Sequence, residues 1–172
     1  MNLFMKSFLV KRIFLIALAI LLLSCENDDI CVEPNTPRLI IRFYDIDNPQ
    51  NKKAVPFLGV KIDGQEAFYV DSGISQSPDS ITIPLEVVKD LTRIKLVKFG
   101  KDPVEENDEE DEIELTYGRN EEFVSQSCGF RIIYNNVKNT SSPNNTWIKE
   151  IAPISDSLNI TDERRHHIKI YH

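Results

Sequence analysis

Phe57-Leu-Gly-Val-Lys-Ile-Asp-Gly-Gln-Glu-Ala-Phe-Tyr-Val70 is the stretch that decides the fold class. Two short runs with β-branched and aromatic residues flank Asp63-Gly64. An Asp-Gly pair accepts the positive φ that a type I′ turn requires at both central positions. The stretch reads as a hairpin, with strands over 57–62 and 65–70.

Working outward, the same texture recurs on both sides. A strand over 38–44 precedes the hairpin, separated from it by a polar loop over 45–53. A strand over 80–85 follows, placed near a sheet edge because Pro84 cannot donate to a ladder. Over 92–99, Ile94 and Leu96 face one way and Lys95 the other. Over 113–117, Ile113, Leu115 and Tyr117 face inward. A turn is expected over 117–120. A long strand is expected over 122–134, in which Cys128, Phe130, Ile132 and Tyr134 share a face and Gly129 marks a bulge. A polar loop over 135–145 leads to final strands over 146–151 and 167–171. The one candidate helical turn is 85–91. With no helix for parallel crossovers, antiparallel pairing is expected. The reading is one all-β domain of about eight strands, a β-sandwich or a partly open barrel.

The N-terminus carries an address. Lys6, Lys11 and Arg12 precede an unbroken apolar run over 13–23, which ends in Leu22-Leu23-Ser24-Cys25. That is the layout of a secretory signal. As a helix the run would reach about 17 Å, against a bilayer core of about 30 Å. The ending resembles the bacterial lipoprotein lipobox. The resemblance implies a signal peptide over 1–24 and a mature protein whose first residue, Cys25, carries lipid. A tether over 25–37 and a β-domain over 38–172 follow. The implied partner is a membrane, held through the lipid on Cys25.

Beyond residue 24 the chain holds 17 basic residues, the other three being Lys6, Lys11 and Arg12, and all 27 acidic ones, a formal charge of −10. Nine of those acids fall between Asp102 and Glu114, so the body is nearly neutral and the run reads as one solvated acidic loop. No basic stripe suits nucleic acid. Of three cysteines, lipid on Cys25 leaves Cys31 and Cys128. In an oxidising compartment these are expected to pair, the alternative being two buried thiols. Closing a loop of nearly 100 residues would contribute at most about 4–5 kcal/mol on the chain-entropy account.

The chemical motifs are thin. Val70-Asp71-Ser72-Gly73 resembles the catalytic loop of aspartic proteases, where two such carboxylates share a proton. The bracing hydrophobic-hydrophobic-Gly strand of that family is missing, so a turn is the simpler reading. The acidic run lacks the alternate spacing and central glycine of a calcium loop. His166 and His167 are adjacent and so point to opposite faces of a strand, while His172 lies about 20 Å farther along, so no metal site is expected. Asp79-Ser80-Ile81 and Asp156-Ser157-Leu158 resemble the O-glycosylation sequon of Bacteroidota, which makes Ser80 and Ser157 candidate glycosylation sites on surface loops.

Five segments together resemble an uncharacterised family of small Bacteroidota lipoproteins, catalogued only as a domain of unknown function. They cover 31–45, 79–85, 124–130, 145–148 and 167–172, with Cys31 and Cys128 inside the two most specific. The resemblance implies an envelope lipoprotein and no particular activity. Glu26-Asn27-Asp28-Asp29 resembles the signals that export such lipoproteins to the outer leaflet. The expected function is a non-catalytic binding or structural module at the outer membrane, without cofactor, whose partner is an envelope protein or a glycan. Trp147, beside a polar loop, is a candidate contact residue, although core packing is the commoner fate of such a side chain. The alternative is a small envelope hydrolase using Asp71.

Overall fold

Nine strands form among the described residues: β1 (Leu39–Tyr44), β2 (Gly59–Ile62), β3 (Ser80–Ile83), β4 (Leu91–Lys98), β5 (Glu109–Ser125), β6 (Gly129–Asn139), β7 (Glu150–Pro153), β8 (Leu158–Ile160) and β9 (Ile168–Tyr171). A single 3-10 turn, Glu105–Asn107, lies between β4 and β5. The structure, a computed structural model, describes residues 11–12, 31, 36–69, 77–140 and 146–172. Glu33–His172 is one unit. Of Met1–Val32, only helical Lys11 and Arg12, and Cys31, are described. The apolar run over 13–23, Cys25 and Asp71 lie outside the described residues.

The strands build two sheets, one ordered β3-β1-β9-β7 and the other β2-β4-β5-β6-β8. Neither closes, so of the two expected architectures the sandwich is the one formed. Period-two alternation sorts the side chains. Leu39, Ile41 and Phe43 of β1 point inward with Ile168 and Ile170 of β9, and meet Ile94, Leu96, Ile113 and Leu115 of the second sheet in one core. Trp147 is 3% exposed within it, and its Nε1–H donates to Leu96 O at 3.2 Å.

Several expectations are corrected. The Asp63-Gly64 turn forms, with φ of 50° and 75° and Gln65 N–H donating to Ile62 O. Its second arm is no strand. Gln65, Glu66 and Ala67 are exposed and offer nothing to bury. One backbone bond, Tyr69 N–H to Val60 O at 2.6 Å, ties the arm back. Phe68 lies across Gly59, where an added Cβ would sit 2.3 Å from its ring. β2 instead pairs through its other edge with β4.

The expected strand over 122–134 is a hairpin. β5 ends at Ser125, whose Oγ accepts the Cys128 N–H at 3.1 Å, and Gly129, at φ 71°, starts the return. The expected turn over 117–120 runs straight through β5 as a bulge. A Cβ on Gly118 would lie 2.2 Å from Asn135 Oδ1, so glycine there admits a neighbouring side chain rather than reversing the chain. Asn135–Asn139 belong to β6, not to a loop. β8, short and flanked by polar residues, has no counterpart among the expected strands.

The stretch 85–91 is not helical. Its carbonyls are taken by side chains: Tyr134 Oη donates to Leu85 O, Tyr117 Oη to Glu86 O, and Arg119 Nη1 to Val87 O. Burial pushes the Tyr134 hydroxyl up to about 12, which keeps it a donor.

The default of antiparallel pairing fails once. β1 runs parallel to β9, with Ile41 opposite Ile168 and Arg42 opposite Lys169. The crossover that parallel strands need is supplied by the whole second sheet, together with β3 and β7, rather than by a helix.

Candidate functional site

Cys31 and Cys128 are both disulfide-bonded. Of the two candidate glycosylation residues, Ser157 is exposed in the bend before β8, as a surface loop requires. Ser80 is not in a loop. It opens β3, half-buried, and its hydroxyl donates to Ile41 O at 3.1 Å.

The acidic run is not one solvated loop. Only its first half, which includes the 3-10 turn, lies outside β5. There Asp102 folds the loop by accepting from Val104 N–H and from Asn107 Nδ2. Asp111 is fully buried, and its carboxylate accepts the backbone N–H groups of Thr146, Trp147 and Ile148 at 3.3, 2.9 and 2.8 Å. No periodicity rule flags that role, although Asp111 shares the inward parity of Ile113 and Leu115. On the outward face acids of β5 meet bases of β4, Arg93 with Glu114 and Lys95 with Glu110, each at 2.9 Å, while Lys98 and Glu109, in line with the inward Leu96 and Asp111, pair at the same distance at the end of the inner row. Such exposed pairs contribute about 0–1 kcal/mol each, so their main effect is to neutralise this face.

The histidines have separate surroundings. Among the described residues no group of three or more His, Cys, Asp or Glu is placed to hold a metal ion. His167 is buried; its Nδ1 accepts from Ile40 N–H at 2.9 Å while its backbone N–H donates to Ile40 O at 2.8 Å. Its Nε2 faces Asp162 O at 3.1 Å, so Nε2 carries the proton and the ring is neutral. Burial is the chief cause that lowers its pKa. His172 packs edge-on to Phe43 and Trp147. It lines a pocket of about 410 Å³ with Lys53 and Lys98, whose ammonium groups are held by Asp45 and Glu109. Trp147, a candidate contact residue from the sequence, belongs mainly to the core.

The outer face of the four-stranded sheet differs. Arg42 stands opposite Ser80 on β3 and opposite Lys169 on β9. Two cations are thus direct cross-strand neighbours, a destabilising pairing. Lys169 Nζ lies over the Tyr44 ring at 5.3 Å, and that ring is 5.7 Å from Tyr171 and 6.3 Å from His166. Arg42 Nε and His166 Nε2 are both buried with no hydrogen-bond partner among the described residues. Burial lowers the His166 pKa, and the charges of Arg42 and Lys169 act in the same direction. Lys52 is nearby but spoken for by Asp79 at 3.1 Å. Arg42 and Lys169 were each legible as outward positions. Their juxtaposition was not, because it depends on the parallel pairing.

A family described as a family of unknown function (DUF6452) matches residues 58–172. No curated protein and no solved structure matches the chain.

Proposed function

The chain belongs to the DUF6452 family of unknown function, and from that premise we propose that it is a non-catalytic binding module of the bacterial cell envelope, held at the outer membrane by lipid on Cys25. The address rests on the signal layout ending in Leu22-Leu23-Ser24-Cys25. That Cys31 and Cys128 are both disulfide-bonded supports it, because such bridges persist in oxidising compartments. The binding role rests on one observation: the outer face of the four-stranded sheet carries buried polar groups, Arg42 Nε and His166 Nε2, that the described residues leave unpartnered. An unpaired buried donor costs about 1–3 kcal/mol, a cost that a ligand can remove.

The experiment is metabolic labelling with palmitate and membrane fractionation. Globomycin and Cys25→Ala should each abolish labelling, and a labelled Cys25→Ala protein overturns the anchor. Protease shaving of intact cells separates surface from periplasmic display. Cross-linking in native membranes should capture a glycan or protein partner. A purified protein that cleaves a peptide library and loses that activity in Asp71→Asn would instead establish the hydrolase.

A further inference from the structure

We propose that the outer face of the four-stranded sheet, at Arg42, Lys169 and His166, binds a phosphate group. The inference rests on the binding-module reading and supplies its ligand class. Three observations carry it.

The first is the contrast between the two sheets. On β4 and β5 the outward Arg93 and Lys95 meet the outward Glu114 and Glu110, and the charges cancel in place. On β1 and β9 the outward Arg42 meets the outward Lys169, at a spacing of about 4.8 Å between strands. A chain with 27 acidic residues has many ways to put an acid there. It leaves two positive charges side by side instead.

The second is hydrogen-bonding capacity. Arg42 Nε and His166 Nε2 are both buried and have no partner among the described residues. Arginine presents a planar fork that suits the oxygens of phosphate, and lysine adds a mobile point charge. Ser80, opposite Arg42 on β3, gives its proton to Ile41 O and does not accept from Arg42 Nε.

The third is charge count. Lys52 is neutralised by Asp79, and His166 is held towards its neutral form by burial. The cations left at the cluster are Arg42 and Lys169, with the exposed Glu150 of β7 at its rim opposite Tyr171; a dianion matches two adjacent cations and a single carboxylate does not. Phosphate monoesters carry about −1.5 to −2 at neutral pH. Tyr44 and Tyr171 form the aromatic side of the site, next to the cations.

The test uses the full mature lipoprotein in dodecyl maltoside micelles, titrated with inorganic phosphate at physiological chloride. Binding is read by calorimetry and by the His166 imidazole resonances. Saturable binding that moves those resonances is expected, with at least tenfold weaker affinity in both Lys169→Gln and Arg42→Gln. In phosphate-free buffer Lys169→Gln should melt higher than the parent, because it removes the like-charge neighbour; a purely structural lysine would give a lower midpoint. Competition by glucose 6-phosphate or by short-chain phosphatidic acid distinguishes a soluble phosphate monoester from a lipid headgroup, and displacement by either supports the site. No saturable binding, or binding unchanged in both variants, overturns it. That failure leaves palmitate labelling and partner capture intact, so the anchor and the binding role stand or fall separately.

Discussion

Asp111 shows how much one side chain in an acidic run can carry. Three backbone donors converge on a carboxylate with no exposed surface. Hydrogen bonds to a charged group are worth about 1.5–3 kcal/mol each, and donors stranded without an acceptor cost about 1–3 kcal/mol. Asp111→Ala should therefore destabilise by about 3–5 kcal/mol, read as a lower urea midpoint with unchanged slope. Asp111→Asn should lose less but still substantially, because its amide turns a donor towards donors. His167 gives the pH dependence. Burial lowers its pKa, and His166 and His172 shift the same way for the same first reason. The unfolded chain then takes up these protons first. Stability contributed by the neutral rings is present above their unfolded value of about 6.5 and is lost as pH falls below it. The urea midpoint should drop between pH 7.5 and 5. His167→Gln should flatten part of that slope, and an unchanged slope would count against the buried neutral ring. Glu163, whose pKa is lowered chiefly by its bond from Arg38, adds to the loss only below the ordinary carboxylate range.

At the scale of elements, the hairpin that decides the fold class is half right, and the half that fails does so for a local reason. Asp63 and Gly64 specify a turn by backbone chemistry alone, and the turn is there. Whether its second arm joins a ladder depends on what it can bury, and Gln65-Glu66-Ala67 bury little. Phe68 finds its place over Gly59 instead. Gly59→Ala should push that ring away at a cost of about 1–3 kcal/mol, as overpacking does. In a Phe68→Ala background the same change should be nearly neutral, and a double-mutant cycle measures the difference. β4 was legible because its inward residues alternate with polar ones, and β1, β3 and β9 because they are rich in β-branched and aromatic residues. The β5–β6 hairpin was not. Its turn, Ser125 to Gly129, sits inside an apparently continuous strand, while Gly118 looks like a turn and is a bulge. A glycine in sequence does not say whether it reverses the chain or makes room for a neighbour. The candidate site was illegible for a related reason: alternation says that Arg42 and Lys169 point outward, but only sheet order says that they meet.

For the whole molecule, the ordering of the strands sets when the fold can close. β1 is flanked by β3 on one side and by β9 on the other, so the first strand in sequence borders the last. Chains dominated by such distant pairings fold slowly, in about milliseconds to seconds. During synthesis β1 has β3 early but must wait for Ile168–Tyr171 before its second edge is satisfied. Ribosome-arrested chains that stop short of Ile168 should be digested by protease as readily as an unfolded chain, whereas chains arrested far enough beyond His172 to clear the exit tunnel should resist. Late closure keeps the first edge of the sheet open until Ile168–Tyr171 has emerged, like a zipper whose last tooth must arrive before the first is locked.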